Sequence, residues 1–186
     1  MRLVSRYHPL LVALHWLLAV LIILMLAGGF FLLARLPNTD PQKIGALLGH
    51  MSLGMAIAGL MLVRLAVRLS SAKPAEAVTG HAALGRLVLS AHYAFYLIVA
   101  LMAGSGLATA ILAGLNRSVF QGTGEPLPAD FSAYPTFTIH IVLALLLSAL
   151  VLVHVVAALY HQLFKRDQLL RRIWFGRRAA LEGAAK

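Results

Sequence analysis

Four long apolar stretches, separated by shorter polar segments, dominate the pattern of hydrophobic and polar positions along the chain. They cover approximately residues 10–34, 44–65, 87–115 and 137–164. A helix needs about 20 apolar residues to cross the hydrocarbon core of a bilayer, and each stretch is long enough to do so. The pattern therefore predicts an all-α fold, a bundle of four transmembrane helices that forms one membrane domain over residues 1–186.

The segments between the predicted helices are rich in turn-forming residues. Glycine and proline recur in the longest of them, at residues 116–135, which argues against regular structure there. A loop of this length exceeds the usual connection and is predicted to cap a site on its side of the membrane. The last segment, residues 165–186, is predicted to be a basic tail that anchors to anionic lipid.

Composition agrees with a lipid environment, because 61% of residues are hydrophobic, 12% are charged and the mean hydropathy is +0.87. The formal charge of +10 would suit nucleic acid, but its distribution indicates membrane orientation instead. Thirteen of the sixteen lysines and arginines flank one side of the predicted helices, and the opposite side has only three: Arg35, Lys43 and Arg117. The positive-inside rule then predicts that both termini are cytoplasmic, and no nucleic-acid partner is needed.

The chain has no cysteine. Disulfides, iron–sulfur clusters, thiolate ligands and covalently attached c-type haem are therefore excluded. Any haem in this protein must be bound non-covalently.

Four of the eight histidines lie inside predicted membrane helices, where an ionisable side chain is costly and indicates a functional site. They are His15, His50, His140 and His154. His140 and His154 share the fourth helix, and their 14-residue separation places them within about 40° of one face and about 21 Å apart along the axis. The helix directions put His140 at the depth of His50, towards the outside, and His154 at the depth of His15, towards the inside.

Two imidazoles at each depth favour haem over zinc, because zinc sites use three or four protein ligands. Axial ligation by two histidines fills both free positions of haem iron, which leaves electron transfer as the expected chemistry. The sequence thus predicts two haem b groups, held by the pairs His15–His154 and His50–His140. The alternative is that these histidines make polar contacts between helices.

Several stretches resemble the bacterial cytochrome b561 family, a group of small four-helix membrane cytochromes with two haems. The resemblance covers nearly the whole chain. Its segments are YHPLLVALHW at residues 7–16, GHMSLGMAIAGLMLVRLAVR at 49–68, HYAFYLIVALMAGSG at 92–106 and HVVAALYHQLFKRDQLLRR at 154–172.

The resemblance implies that His15, His50, His140 and His154 are the haem ligands, in a bacterial inner membrane. It also implies ubiquinone as a redox partner, and some similar proteins pass electrons from periplasmic superoxide to ubiquinone. Members of the family often have a lysine directly after the second-helix histidine, where this chain has Met51. The positive charge that would attract an anion beside the outer haem is absent at that position.

Other residues are candidates for secondary roles. His161, about 10 Å beyond His154 along the helix, and His92 are candidates to bind quinone or relay its protons. Arg64 and Arg68, one turn apart, could pair with haem propionates. At the outer side, Lys43 and Arg117 are candidates to steer an anionic substrate. Each of these residues could instead be an ordinary interfacial or orienting group.

Three functional classes remain open from the sequence. The first is an oxidoreductase of the superoxide:ubiquinone type. The second is an electron relay to or from a soluble periplasmic redox protein that docks on residues 116–135. The third is a non-redox channel or transporter that moves protons through its histidines, which would be colourless when purified.

Overall fold

The computed structural model describes residues 4–72, 74, 82–167 and 169–179. Four long helices run through these ranges: α1, Pro9–Gly28; α2, Gln42–Ser70; α3, Ala82–Leu112; and α4, Pro135–Tyr160. No β-strand occurs in the described ranges. The prediction of an all-α, four-helix transmembrane fold is therefore confirmed.

Each long helix carries a segment that is apolar and long enough to cross a membrane. These spans are Pro9–Leu33, Gln42–Ser70, Ser90–Leu112 and Pro135–Lys165. Their surfaces expose large apolar side chains, among them Leu24, Leu62, Ile111 and Leu152. Such a surface is favourable in lipid and costly in water, and helices satisfy their own backbone groups in the bilayer. The chain is therefore a multi-pass membrane protein, whose orientation stays a prediction.

The connection between α1 and α2 is tightly built. After Gly28 the first span continues as a single π-helical turn, Gly29–Leu33. The ammonium group of Lys43 donates hydrogen bonds to the carbonyl oxygens of Leu33 at 2.6 Å and Leu36 at 2.8 Å. A cation at this position satisfies orphan carbonyls and complements the negative end of the helix dipole.

The long connection at residues 116–135 was expected to be irregular, and this is wrong in part. It contains a π-helical turn, Asn116–Phe120, and a 3₁₀ turn, Phe131–Ala133. Three of its flanking and internal residues, Leu115, Val119 and Phe131, are buried in one cluster with Leu47 and Ala110. Burial of apolar side chains favours this ordered arrangement over the local bias of glycine and proline.

The chain divides into two compact units, and each long helix contributes a part to both. The terminal unit consists of Met1–Ala19, Leu60–Tyr96 and Ala149–Lys186. The loop unit consists of Val20–Gly59 and Leu97–Ser148. These names are used below.

In the terminal unit the basic tail folds against the N-terminal lead-in. A π-helical turn, His161–Lys165, and a four-residue helix α5, Leu169–Arg172, follow α4. Backbone hydrogen bonds then join Tyr7 N to Arg172 O at 3.1 Å and Ser5 N to Ala179 O at 3.0 Å. The indole N–H of Trp16 donates to the carbonyl of Ile173 at 3.0 Å. The described part of the tail is thus built into the fold.

Candidate functional site

The terminal unit brings the imidazoles of His15 on α1 and His154 on α4 together. Their ring centres are 6.3 Å apart and their planes are inclined at 60°. Both side chains are partly buried. The ring of Trp16 meets His15 edge to face, with centres 5.3 Å apart, which restricts the orientation of that imidazole.

Two residues of α3 also contact His154. The ring of His92 lies 5.9 Å from it and the ring of Phe95 lies 5.4 Å from it, both edge to face. His92 was a candidate for the quinone site, and the structure places it directly beside the inner histidine pair. This cluster in the terminal unit therefore contains three imidazoles, and the ring of His154 contacts both of the others.

Two arginines of α2 face two tyrosines of α3 in the same unit. Arg64 donates a hydrogen bond to the hydroxyl of Tyr96 and its guanidinium lies 5.4 Å from the centre of that ring. Arg68 lies 5.9 Å from the ring of Tyr93 and is only 8% exposed. Within the described ranges, the Nε of Arg68 is a buried polar atom without a hydrogen-bond partner. A buried cationic nitrogen without a hydrogen-bond partner favours binding of an anion at this position.

The loop unit brings His50 on α2 and His140 on α4 together, with ring centres 6.2 Å apart and planes inclined at 70°. The Nδ1 of His140 lies 3.1 Å from both the carbonyl oxygen of Met102 and the hydroxyl of Ser105. A carbonyl only accepts, so Nδ1 carries the proton and donates. In a neutral ring this leaves Nε2 with its lone pair available to a metal.

Glycines make room for the imidazoles of the loop unit. A Cβ at Gly106 would stand 3.1 Å from Cε1 and 3.3 Å from Nδ1 of His140, closer than ordinary packing allows. A Cβ at Gly29, in the π-helical turn, would be in ordinary contact with Cε1 of His50 at 3.8 Å. A side chain at position 106 would therefore require the ring of His140 to move by a few tenths of an ångström.

A cavity of about 870 Å³ opens within the loop unit beside these rings. Its lining is mainly apolar and includes His50 and His140, together with Met51, Met102 and Lys43. A largely apolar cavity with a few polar groups is typical of sites for cofactors and other organic ligands. Its size and its two imidazoles make it suitable for a flat, metal-containing macrocycle.

The predicted outer cations both have partners. Lys43, a candidate for anion steering, is only 6% exposed, and its ammonium group is bonded to the end of the first span. Arg117 is exposed and lies 3.5 Å from the carboxylate of Glu125. Neither Lys43 nor Arg117 therefore presents an unpaired positive charge.

At the other end of α4, the Nδ1 of His161 forms a hydrogen bond with the carboxylate of Asp167. Desolvation raises the pKa of Asp167, but the hydrogen bonds from His161 and from the backbone N–H of Leu169 outweigh it and hold that pKa below its ordinary value. The carboxylate therefore stays charged and orients the imidazole, whose second nitrogen can serve another partner.

Sequence reasoning missed several residues of these clusters. Tyr93 and Tyr96 are three residues apart on α3, and the two arginines are four residues apart on α2. Each spacing places its pair on one helix face, which is a signal that could have been used. Ser105 offered a weaker signal, as a hydroxyl within an apolar span. No signal in the sequence indicates the contact of Phe95 with His154.

Comparison with protein families gives a match over nearly the whole chain. The family model described as prokaryotic cytochrome b561 matches residues 6–176. The matched range includes all four spans and all the clusters described above.

Proposed function

The chain belongs to the prokaryotic cytochrome b561 family, and we propose that it conducts electrons through two haem b groups between a periplasmic donor and ubiquinone. Membership makes it a b-type cytochrome that transfers electrons in a bacterial membrane. The proposal adds the number of haems, their ligands and the two redox partners. It also adopts the predicted orientation, with both termini in the cytoplasm.

The separation of the imidazole rings is the observation that carries this proposal. Metal–imidazole bonds are about 2.0–2.1 Å long, so two rings on opposite sides of one metal have centres about 6 Å apart once ring size is added. The pair His15–His154 is at 6.3 Å and the pair His50–His140 is at 6.2 Å. Each unit thus holds imidazole rings at a separation that would suit two ligands of one haem iron, and in the terminal unit a second pair, His92–His154, also meets it.

The surroundings of His140 support its assignment as a ligand. Its Nδ1–H donates towards Met102 and Ser105, and its Nε2 is left to bind iron. Metal-binding histidines commonly have such a partner, which fixes the ring and increases the basicity of the ligating nitrogen.

His92 also stands near His154, at 5.9 Å, and it is the competing ligand at the inner site. The proposal assigns His15, as the resemblance of residues 7–16 to the family implies. Substitution separates the two possibilities, because loss of the inner haem is expected for His15→Ala and not for His92→Ala.

Arg68 and Arg64 are proposed to bind the propionates of the inner haem. The buried Nε of Arg68 has no hydrogen-bond partner among the described residues, and a carboxylate would supply one. The guanidinium of Arg64 is held in place by Tyr96. Both cations would also offset the charge of the carboxylates inside the bilayer.

When bound to two imidazoles, haem b supplies one-electron transfer and has no open position at which its iron could activate oxygen. The chain holds the four imidazoles, and the cavity beside His50 and His140 has a mainly apolar lining. These residues therefore favour electron transfer over reactions at the metal.

At the inner side, His161 is proposed to contact ubiquinone and pass protons to it. Asp167 accepts from Nδ1 of His161, so the doubly protonated imidazole would also donate from Nε2 to a quinone oxygen. Two superoxide anions would each lose one electron and become dioxygen, while ubiquinone gains both electrons and two protons to become ubiquinol. His92 is less suited to this role because it lies against His154.

The outer face favours a second candidate function, which is a relay to or from a soluble periplasmic redox protein. Lys43 is buried and bonded to carbonyls, Arg117 is paired with Glu125, and Met51 follows His50. These features reduce the positive charge available to attract superoxide. The exposed residues 120–126 would provide the docking surface.

Stopped-flow spectroscopy on the purified protein tests the function. We expect superoxide to reduce the haem iron and an added ubiquinone analogue to reoxidise it, and the absorption bands of the haem report both steps. His161→Gln should slow reoxidation about tenfold or more without changing reduction, in line with the loss of a positioned proton donor. His8→Gln, a histidine substitution at the start of α1, should change neither.

If superoxide leaves the spectrum unchanged while ubiquinol reduces the protein, the superoxide assignment is wrong. The relay would then be tested by shortening residues 120–126, which should slow reduction by a periplasmic partner. Equal rates for the shortened and full-length proteins would rule out docking at this loop.

A further inference from the structure

The terminal unit contains a second, strongly basic cavity, whose arginines have no part in the proposed electron transfer. It has a volume of about 380 Å³. Four arginines line it together with one serine and one carboxylate: Arg6, Arg171, Arg172, Arg177, Ser5 and Asp167. The carboxylate is hydrogen-bonded to His161, so the cavity has a large excess of positive charge.

The cavity is a built site, because its walls are held together by contacts between the two ends of the chain. Nη1 of Arg6 donates to the carbonyls of Trp174 and Phe175, each at 3.0 Å. The backbone N–H of Tyr7 donates to the carbonyl of Arg172. Arginines more than 160 positions apart are thereby fixed around one space, against their mutual repulsion. Such an arrangement favours an anionic ligand.

Two aromatic residues bonded to the lining residue Arg6 indicate where that anion comes from. The side chains of Trp174 and Phe175, whose carbonyls hold Arg6, are 56% and 57% exposed. The ring of Trp174 packs edge to face on Trp16, with centres 5.2 Å apart. Exposed aromatic residues beside basic ones are characteristic of the membrane–water interface, where rings meet lipid and cations meet headgroups.

We propose that this cavity binds the phosphate headgroup of one anionic phospholipid, with its acyl chains against Trp174 and Phe175. The guanidinium groups supply charge-assisted hydrogen bonds to the phosphate oxygens, for which their planar geometry is suited. This is a defined site for a single lipid, distinct from the diffuse attraction of a basic tail to an anionic surface.

Native mass spectrometry of the full chain in neutral detergent, titrated with phosphatidylglycerol, tests the proposal. We expect one tightly bound lipid per chain and at least about tenfold weaker binding of phosphatidylcholine, because its choline cation is repelled by the arginines and offsets the attraction of its phosphate. Equal binding of the two lipids to the unmodified protein would overturn the proposal, whatever the variants do.

A pair of charge-matched variants locates the site. Arg171 and Arg177 are exposed cavity residues, whereas Lys165 and Arg166 are exposed and lie outside its lining. The double variant R171Q/R177Q should bind phosphatidylglycerol about tenfold more weakly, and K165Q/R166Q less than about twofold. Equal losses in both would show diffuse attraction and contradict a defined site.

Free phosphate is the other source of the same chemistry. Inorganic phosphate at millimolar excess should leave the bound lipid in place, because it lacks acyl chains to contact the two aromatic residues. Displacement of the lipid by inorganic phosphate would overturn the lipid assignment and indicate a site for a soluble anion.

Discussion

At the residue scale, the geometry around His140 depends on what its neighbours on α3 lack as well as what they provide. Ser105 and Met102 fix the protonated nitrogen, and the absent side chain of Gly106 leaves space for the ring. Gly104 lies two positions earlier on the same helix, and a methyl group added there would meet nothing within 4 Å. The two glycines therefore differ in their expected sensitivity to substitution.

Gly106→Ala is expected to weaken retention of the haem proposed for His50 and His140 about tenfold, the effect typical of disturbing groups that support a metal ligand. The added methyl group would stand 3.1 Å from Cε1 of His140 and force the ring to shift. Haem content after purification and the reduced spectrum measure the effect.

Gly104→Ala is the matched control for this experiment. Alanine stabilises a helix interior by about 0.5–1 kcal/mol relative to glycine. Neither substitution should therefore destabilise α3 through its helix propensity. Equal haem retention in the two variants would contradict the role given to Gly106.

At the element scale, Lys43 joins α2 to the end of the first span. Its side chain is buried and donates to two carbonyls that the first span leaves without helical partners. This arrangement assigns Lys43 to stability, whereas the sequence offered it as a cation that steers anions. The two roles predict different consequences of removing the ammonium group.

Lys43→Met should lower the free energy of unfolding by about 2–3 kcal/mol, since two carbonyls lose bonds to a charged donor. Thermal unfolding in detergent measures this change. Arg35→Met is the control, because Arg35 is exposed and only lies over the ring of Phe31. An unchanged melting temperature for Lys43→Met, with slower reduction by superoxide, would favour steering instead.

Much of the element-level structure could be predicted from the sequence, because membrane spans have a strong and simple signal. The apolar runs located all four helices, and the depth of His15, His50, His140 and His154 indicated which rings would be neighbours. Helix rise and direction are nearly fixed, so depth can be read from residue number.

Contacts between distant segments could not be predicted in this way. Nothing in the local pattern shows that Tyr7 bonds to Arg172, or that His92 reaches His154 from a third helix. These contacts depend on the rotation of each helix and the course of the tail, which follow from packing of the whole molecule. The sequence predicts that His81 is solvated, and this histidine lies outside the residues that the structure describes.

At the scale of the whole molecule, the direction of electron flow depends on the orientation in the membrane. The distribution of lysine and arginine predicts that both termini are cytoplasmic. The basic cavity of the terminal unit would then face the cytoplasmic leaflet, and residues 116–135 would face the periplasm. The absence of native cysteine makes this orientation simple to measure.

Single-cysteine variants should react differently with a membrane-impermeant maleimide. In spheroplasts, whose inner membrane is intact, Thr123→Cys in the long loop should be labelled, because this residue is exposed. Ala179→Cys in the tail should be labelled only after the membrane is permeabilised. The reverse pattern would place the termini outside and exchange the proposed sides of the donor and the quinone.

The central claim is that histidine pairs in the two units each bind one haem. Haem quantification with a reduced-minus-oxidised spectrum, on the purified protein and on His140→Ala and His154→Ala, tests it most directly. We predict two haems per chain for the unmodified protein and one for each variant, with a different spectral component lost in each. A colourless protein, or one haem per chain that both substitutions remove, would contradict the account.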